Sequence, residues 1–339
     1  MQLSDFDVPF DPSLVADRPV EPRDQARLLV LPRTAGPCTH RRIADLPVLL
    51  DPGDVLVVNE TKVIPARVLG RRRDTGKPVD LVFVRERQDG LWEVLLKGDV
   101  KPGQVLDFGR ALSAEVVSRD AGHTMVRVRS PRPLREVLRH EGLMPLPPYI
   151  KRKPVSEDRR WYQPIFGRVE GAIAAPTASL HFSESLLVAL RDRRILLATV
   201  TLHVGPATFL PVRTPQVEDH TMLPEWTEVG RATAEAVNRA RTEGRRVVAV
   251  GTTVVRALES AVGEDGTVRG YTGETDLFIL PGFHFRAVTG LLTNFHLPRT
   301  TLIMLVSAFA GLERVRPVYA EAVHQRYRLY SYGDAMLIV

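Results

Sequence analysis

Between about Val68 and Val128, apolar and polar residues alternate in short runs at Val79–Val84, Leu91–Leu96, Val105–Phe108, Leu112–Val117 and Met125–Val128. Turn chemistry separates these runs, at Asp89-Gly90, at Asp99 to Gly103 with Pro102, and at Asp120 to Gly122. A period of two sends successive side chains to opposite faces of a strand. Strands at this even spacing, with no helix between them, predict a small antiparallel barrel or sandwich. A helix-like piece, Leu134 to His140, comes next. Pro145-Leu146-Pro147-Pro148 then reads as a stiff linker, because proline fixes φ and removes a donor.

Outside this stretch strands and helices take turns. Asp11-Pro12 opens a helical turn, and Asp51-Pro52-Gly53-Asp54 feeds a strand at Val55–Val58. Strands are expected at Ala172–Ala174, Ile195–His203, Val247–Val250, Leu277–Leu280 and Phe285–Leu292. Helices are expected after Ser183, over Val229–Thr242 burying Val229, Ala232, Ala236 and Ala240, from Val254 to Val262, and at Thr301–Ala310 and Val318–Arg326. This rhythm predicts an α/β fold: a mostly parallel sheet with flanking helices over 1–67 and 150–339. The antiparallel β-barrel, over 68–149, is inserted as a second domain.

Composition narrows the function classes. At 339 residues, 44% hydrophobic and 25% charged, the chain has an ordinary globular balance. Its longest nearly apolar run, Leu302 to Leu312, is eleven residues, and a spanning helix needs about 20. The acidic start, Met1 to Asp7, carries no signal-peptide pattern. Cys38 is the single cysteine, which excludes an internal disulfide and fits a reducing cytoplasm. The net charge of +6 equals the excess within Arg127–Arg160, where ten basic residues meet four acidic ones beside Tyr149, Trp161 and Tyr162. Such a patch suits phosphates and bases. A solvated face in an arginine-rich chain is the competing reading, since only six of the 46 basic residues are lysine.

In open α/β sheets ligands bind beyond the carboxyl ends of the strands. Four expected strand ends carry hydroxyl, amide or imidazole groups there: Thr177 to His181, His203-Val204-Gly205, Gly251-Thr252-Thr253 and Thr293-Asn294-Phe295-His296. Histidines at three of them favour a shared cleft over three separate structural rings. No Gly-rich dinucleotide loop, phosphate loop, nucleophile elbow or histidine pair at metal spacing is present.

The chain resembles the S-adenosylmethionine:tRNA ribosyltransferase-isomerases of queuosine biosynthesis over nearly its full length. The resemblance rests on Pro52-Gly53-Asp54, Val58-Asn59-Glu60-Thr61-Lys62-Val63-Ile64-Pro65-Ala66-Arg67, Pro145 to Ile150 and Ala174 to Ala178 with Leu180-His181-Phe182. It rests also on Val200 to Gly205, Val250 to Thr253 through Arg256-Ala257-Leu258-Glu259-Ser260, Thr293 to Pro298 and Tyr330-Ser331-Tyr332-Gly333-Asp334. It implies an enzyme that moves the ribosyl group of S-adenosylmethionine to 7-aminomethyl-7-deazaguanine at the wobble position of a tRNA. Epoxyqueuosine, adenine and methionine are the implied products. S-adenosylmethionine is the implied co-substrate, with no metal, and a cytoplasmic monomer is expected.

That chemistry asks for a base beside the sulfonium, a donor to departing adenine, N–H groups for a carboxylate and acceptors for a diol. His181, His203 and His296 are the expected acid–base pool, with Glu60 or Glu225 as competing carboxylate bases. Thr177, Thr252 and Thr253 are candidates to bind the donor; Asn59, Glu60 and Asn294 are candidates for its ribose. Arg152, Arg159 and Arg160 are expected to contact tRNA. Three positions depart from the family pattern: Ser179 and Ala207 where glycine is usual, and Leu223 where a histidine is typical. A non-catalytic or divergent RNA-binding protein on the same scaffold is the alternative.

Overall fold

The computed structural model describes residues 1–34, 36–88, 90–109, 112–120, 123–205 and 212–339; Asp89, Ala121 and Gly122 of the expected turns, and Ala207, lie outside that set. The chain divides into two compact units. One comprises Met1–Lys62, Pro148–Arg152 and Gln163–Val339; the other comprises Val63–Pro147 and Lys153–Tyr162. Lys153–Tyr162, expected with the α/β part, therefore clusters with the barrel.

In the first unit, nine strands of the described residues form one sheet. Its order is Tyr271–Thr275, Glu225–Val229, Leu196–Leu202, Val55–Asn59, Val247–Val250, Gly290–Asn294, Ala335–Ile338, Arg27–Leu31 and Thr39–Arg42. The four central strands, from Leu196–Leu202 to Gly290–Asn294, are parallel. Antiparallel pairings complete both flanks, apart from Arg27–Leu31, which runs parallel to Ala335–Ile338. The central strand Val55–Asn59 is buried throughout, as a strand covered on both faces must be. Val55 and Val57 join one apolar cluster, with Val254, Leu258 and Ile303. Leu56 and Val58 join the other, with Leu186 and Leu190 of the helix Glu184–Asp192, which Ser183 caps. No helix of the described residues is long and apolar enough to cross a membrane.

Several elements differ from the sequence expectation. Val229 ends a strand, and the helix Arg231–Thr242 buries Thr233, Ala234, Val237 and Ala240 instead of Ala232 and Ala236. Gly230 separates the two, and pairing with Leu196–Leu202 claims Val229. Leu277–Leu280 and Phe285–Ala287 form no strand; Leu277, Phe278, Leu280, Phe283 and Phe285 pack on the core from a loop. Apolar runs there serve burial without a ladder. Tyr271–Thr275 and Gly290–Asn294 carry the pairing instead. The strand Val169–Ala172 lies outside the main sheet and ends before Ile173, while the last helix starts earlier than expected, at Leu312.

In the second unit, six strands of the described residues form a closed barrel in the order His123–Arg129, Leu91–Lys97, Pro78–Gln88, Arg67–Arg72, Val105–Phe108 and Leu112–Asp120. Alternation works as read from the sequence: Val79, Leu81 and Phe83 are buried, and Phe83 meets Trp92 edge to face at 5.5 Å. The helix Leu134–Glu141 follows the last strand.

Candidate active site

Because the four central strands are parallel, Asn59, Leu202, Val250 and Asn294 end them at one edge of the sheet. Two of them, Val250 and Asn294, lead on to helices whose first N–H groups lack partners within the helix. Gly251 makes the sharpest exit, at φ +98°, a conformation that glycine adopts freely. The helix Thr252–Ser260 thus begins at the edge with Thr252 and Thr253, and Thr300 caps the helix Thr301–Ala310 beside it. A cleft forms between these starts, lined by Thr177, Val204, Thr252, Thr253, Asn294 and His296, with Tyr149, Tyr330 and Ser331 as a further wall. The space it encloses together with its open mouth is about 680 Å³. Among the described residues its lining carries no Lys, Arg, Asp or Glu.

Asn294 organises the floor. Its side-chain amide donates to the Tyr330 carbonyl at 3.1 Å and to Nε2 of His181 at 3.2 Å, and its oxygen accepts from the Thr177 hydroxyl at 3.0 Å. A carbonyl only accepts, so Tyr330 fixes which end of the amide is nitrogen. His181 Nε2 must then be an acceptor, and the ring is neutral. Burial, reinforced by the Arg23 and Arg328 charges, pulls the His181 pKa down to about 4. His181 is 5% exposed and does not line the cleft; it meets the cleft through Asn294.

His296 does line the cleft. Its Nε2 lies 2.7 Å from the Thr293 hydroxyl, and its backbone N–H donates to the Tyr319 hydroxyl at 2.9 Å. Burial pulls its pKa down to about 4. His203 takes a different place: Nδ1 is 2.7 Å from the Thr61 hydroxyl and the ring stacks on Trp226 at 5.0 Å. Gly171 makes room, since a Cβ there would stand 2.5 Å from that ring. His203 is not part of the cleft lining. Of the three expected histidines, His296 lines the cleft, His181 reaches it only through its bond to Asn294, and His203 does neither.

Other candidates sort by what already holds them. Asn59 is fully used: its amide donates to Leu202 and Thr253, and its oxygen accepts from the N–H groups of Thr61 and Leu202. It steadies Thr253 instead of facing a ligand. Glu60 accepts from Arg168 at 2.5 Å and Thr201 at 3.3 Å, away from the cleft. Glu225 is ion-paired with buried Arg256 and accepts from the Gly205 N–H at 2.7 Å. Both competing carboxylates are thereby engaged. Thr300 escapes the sequence reading; Tyr149, Thr293, Tyr330 and Ser331 stand in segments behind the family resemblance, but no site role is drawn for them there.

Arg152 and the pair Arg159 and Arg160 fall in different units. Arg152 donates to the Asp17 carbonyl. Arg159 donates to the Arg139 and Gly142 carbonyls at 3.0 and 2.7 Å, closing the carboxyl end of the helix Leu134–Glu141. Ser179 has no positive φ, so its side chain brings no backbone strain. Its buried hydroxyl has no partner among the described residues. Leu223 is 38% exposed and outside the cleft lining. No group of His, Cys, Asp and Glu among the described residues could hold a metal ion.

Residues 3–338 match the family model described as queuosine biosynthesis protein. The chain is 48% identical over 345 residues to the S-adenosylmethionine:tRNA ribosyltransferase-isomerase of Erythrobacter litoralis, covering 100% of this chain and 98% of that protein. It is 48% identical over 344 residues to the protein of that name from Moorella thermoacetica, with 100% of both covered. Among solved structures it is similar to the S-adenosylmethionine tRNA ribosyltransferase of Thermotoga maritima. That match has a TM-score of 0.57 and 34% identity, covering 99% of this chain and 100% of that one.

Proposed function

The chain belongs to the queuosine biosynthesis protein family, and on that premise we propose that it is an S-adenosylmethionine:tRNA ribosyltransferase-isomerase. It transfers and isomerises the ribosyl group of S-adenosylmethionine onto a tRNA. The acceptor is the aminomethyl group of 7-aminomethyl-7-deazaguanine at the wobble position, and the products are epoxyqueuosine-tRNA, adenine and methionine. It works as a cytoplasmic monomer without a metal.

The observation that carries this reading is the cleft itself: two helix starts, threonine hydroxyls and a neutral imidazole gathered at one sheet edge. The partial positive charge at the start of Thr252–Ser260 suits the methionyl carboxylate. Thr177 and Asn294 offer hydrogen bonds to the ribose hydroxyls. The sulfonium makes the neighbouring C–H acidic, because its positive charge stabilises the ylide left when the proton goes. His296, neutral above about pH 4, takes that proton on its ring. The imidazolium so formed is a strong acid by histidine standards, and it returns the proton to departing adenine. His181 acts one step back, orienting Asn294.

The test is adenine release from S-adenosylmethionine. Adenine and methionine should appear together, and only with tRNA carrying the aminomethyl base. Release that is equal with unmodified tRNA, or absent with the modified one, overturns the reading.

A further inference from the structure

The wall made by Tyr149, Tyr330 and Ser331 has no role in the chemistry above. Tyr149 and Ser331 satisfy each other, hydroxyl to hydroxyl at 2.6 Å. Tyr330 is different. It is 4% exposed, and its hydroxyl is buried with no hydrogen-bond partner among the described residues. No other side chain lining the cleft has such an atom among the described residues. Burying an unpaired hydroxyl is unfavourable. The backbone adds a second cost, since Tyr330 sits at φ +70°, where a bulky L-residue is strained.

The surroundings nevertheless hold the residue firmly. Its N–H donates to the Phe295 carbonyl at 3.1 Å, and its own carbonyl accepts from Asn294 at 3.1 Å and from the Gly333 N–H at 2.9 Å. Its ring lies 5.6 Å from Phe10 and 4.7 Å from Tyr149. Strain and an unused donor, both on a residue that lines the cleft, mark a group held for a ligand.

We propose that Tyr330 binds the adenine base of the donor, its hydroxyl donating to a purine ring nitrogen while the Tyr149–Tyr330 wall packs on the purine. This rests on the reading of S-adenosylmethionine as donor. Charge matching selects the base over the rest of that molecule. The carboxylate is served by the helix start at Thr252, and the sulfonium carbon must meet a proton acceptor. A neutral hydroxyl among aromatic rings matches a flat, uncharged heterocycle with lone pairs. Burial also pushes the Tyr330 phenol well above its ordinary range, so it stays a donor at any working pH.

Tyr330→Phe deletes the oxygen and keeps the ring. Calorimetric titration with free adenine, the KM for S-adenosylmethionine and thermal unfolding are measured on wild type and variant. The expected result is roughly tenfold weaker adenine binding and a similarly higher KM, with a melting temperature unchanged or raised. Adenine affinity and KM within twofold of wild type overturn the assignment. So does a melting temperature lowered by the substitution, which would mean the fold itself uses the hydroxyl. If wild type releases adenine from S-adenosylmethionine, the comparison judges Tyr330 alone; if wild type neither binds nor releases adenine, the donor reading fails and takes this inference with it.

Discussion

Asn294 donates its side-chain amide to Nε2 of His181 at 3.2 Å, and that bond exists only while the imidazole is neutral. The two residues stand 113 positions apart in sequence. Replacing Asn294 with Asp offers an anion in place of a donor. The His181 pKa should then climb from about 4 by at least a unit, read by NMR titration of its ring. Adenine release should fall at least tenfold, because a carboxylate also cannot donate to the Tyr330 carbonyl. An unmoved His181 titration would sink the link between the two.

His296→Ala should abolish adenine release while leaving S-adenosylmethionine affinity within a few-fold. His203→Ala should keep most of the turnover, since that ring lies against Thr61 and Trp226. The sequence alone suggests a rate rising through roughly pH 6–7, the range of an ordinary histidine. Burial of His296 moves the expected rise to about pH 4. A pH–rate profile that rises near 6.5 instead argues for another base.

Stability should follow the same burial. The folded protein holds the His181 pKa at about 4, below the ordinary 6.5. The unfolded chain therefore binds the extra proton first. The contribution is fully present above pH 6.5 and is lost as pH falls toward 4, about 3 kcal/mol in all. Denaturant midpoints of wild type and His181→Gln across that window measure it. Parallel curves for the two proteins would remove His181 as the cause.

Ser179→Ala should stabilise the α/β unit by about 1 kcal/mol, because it deletes a buried hydroxyl that has no partner. Adenine release should not change. A destabilised variant would mean that the hydroxyl is satisfied after all.

Arg159→Ala should lower stability by about 1 kcal/mol through loss of its bonds at the carboxyl end of Leu134–Glu141. The salt dependence of tRNA binding should stay the same, whereas each lost phosphate contact lowers the slope by about one unit. A slope reduced by a full unit would return Arg159 to the tRNA contacts.

What could be read in advance was local. Period-two burial at Val79, Leu81 and Phe83 needs nothing but the strand itself, so the barrel was visible in the alternation. Gly251-Thr252-Thr253 announced a strand-to-helix exit for the same reason, since backbone freedom and capping are properties of adjacent residues. The strand Ala335–Ile338 was not visible, because four buried residues carry no alternation to count. Leu277–Leu280 misled in the opposite direction: an apolar run reports burial, and burial does not require a ladder.

Alternation and turn chemistry along the chain are enough to show an α/β chain that carries a small barrel, with polar groups following its central strands. The sequence also carries the full-length resemblance on which the activity is read. Which of those groups meet is set by the folded arrangement. It spent Asn59 inside the fold, brought His296 to the cleft and turned His203 to Trp226. It also left the Tyr330 hydroxyl without a partner among the described residues. The reason is physical: periodicity records how one element buries its own side chains. Hydrogen-bond partners a hundred residues apart are set by the order of strands in the sheet, which non-local packing alone selects.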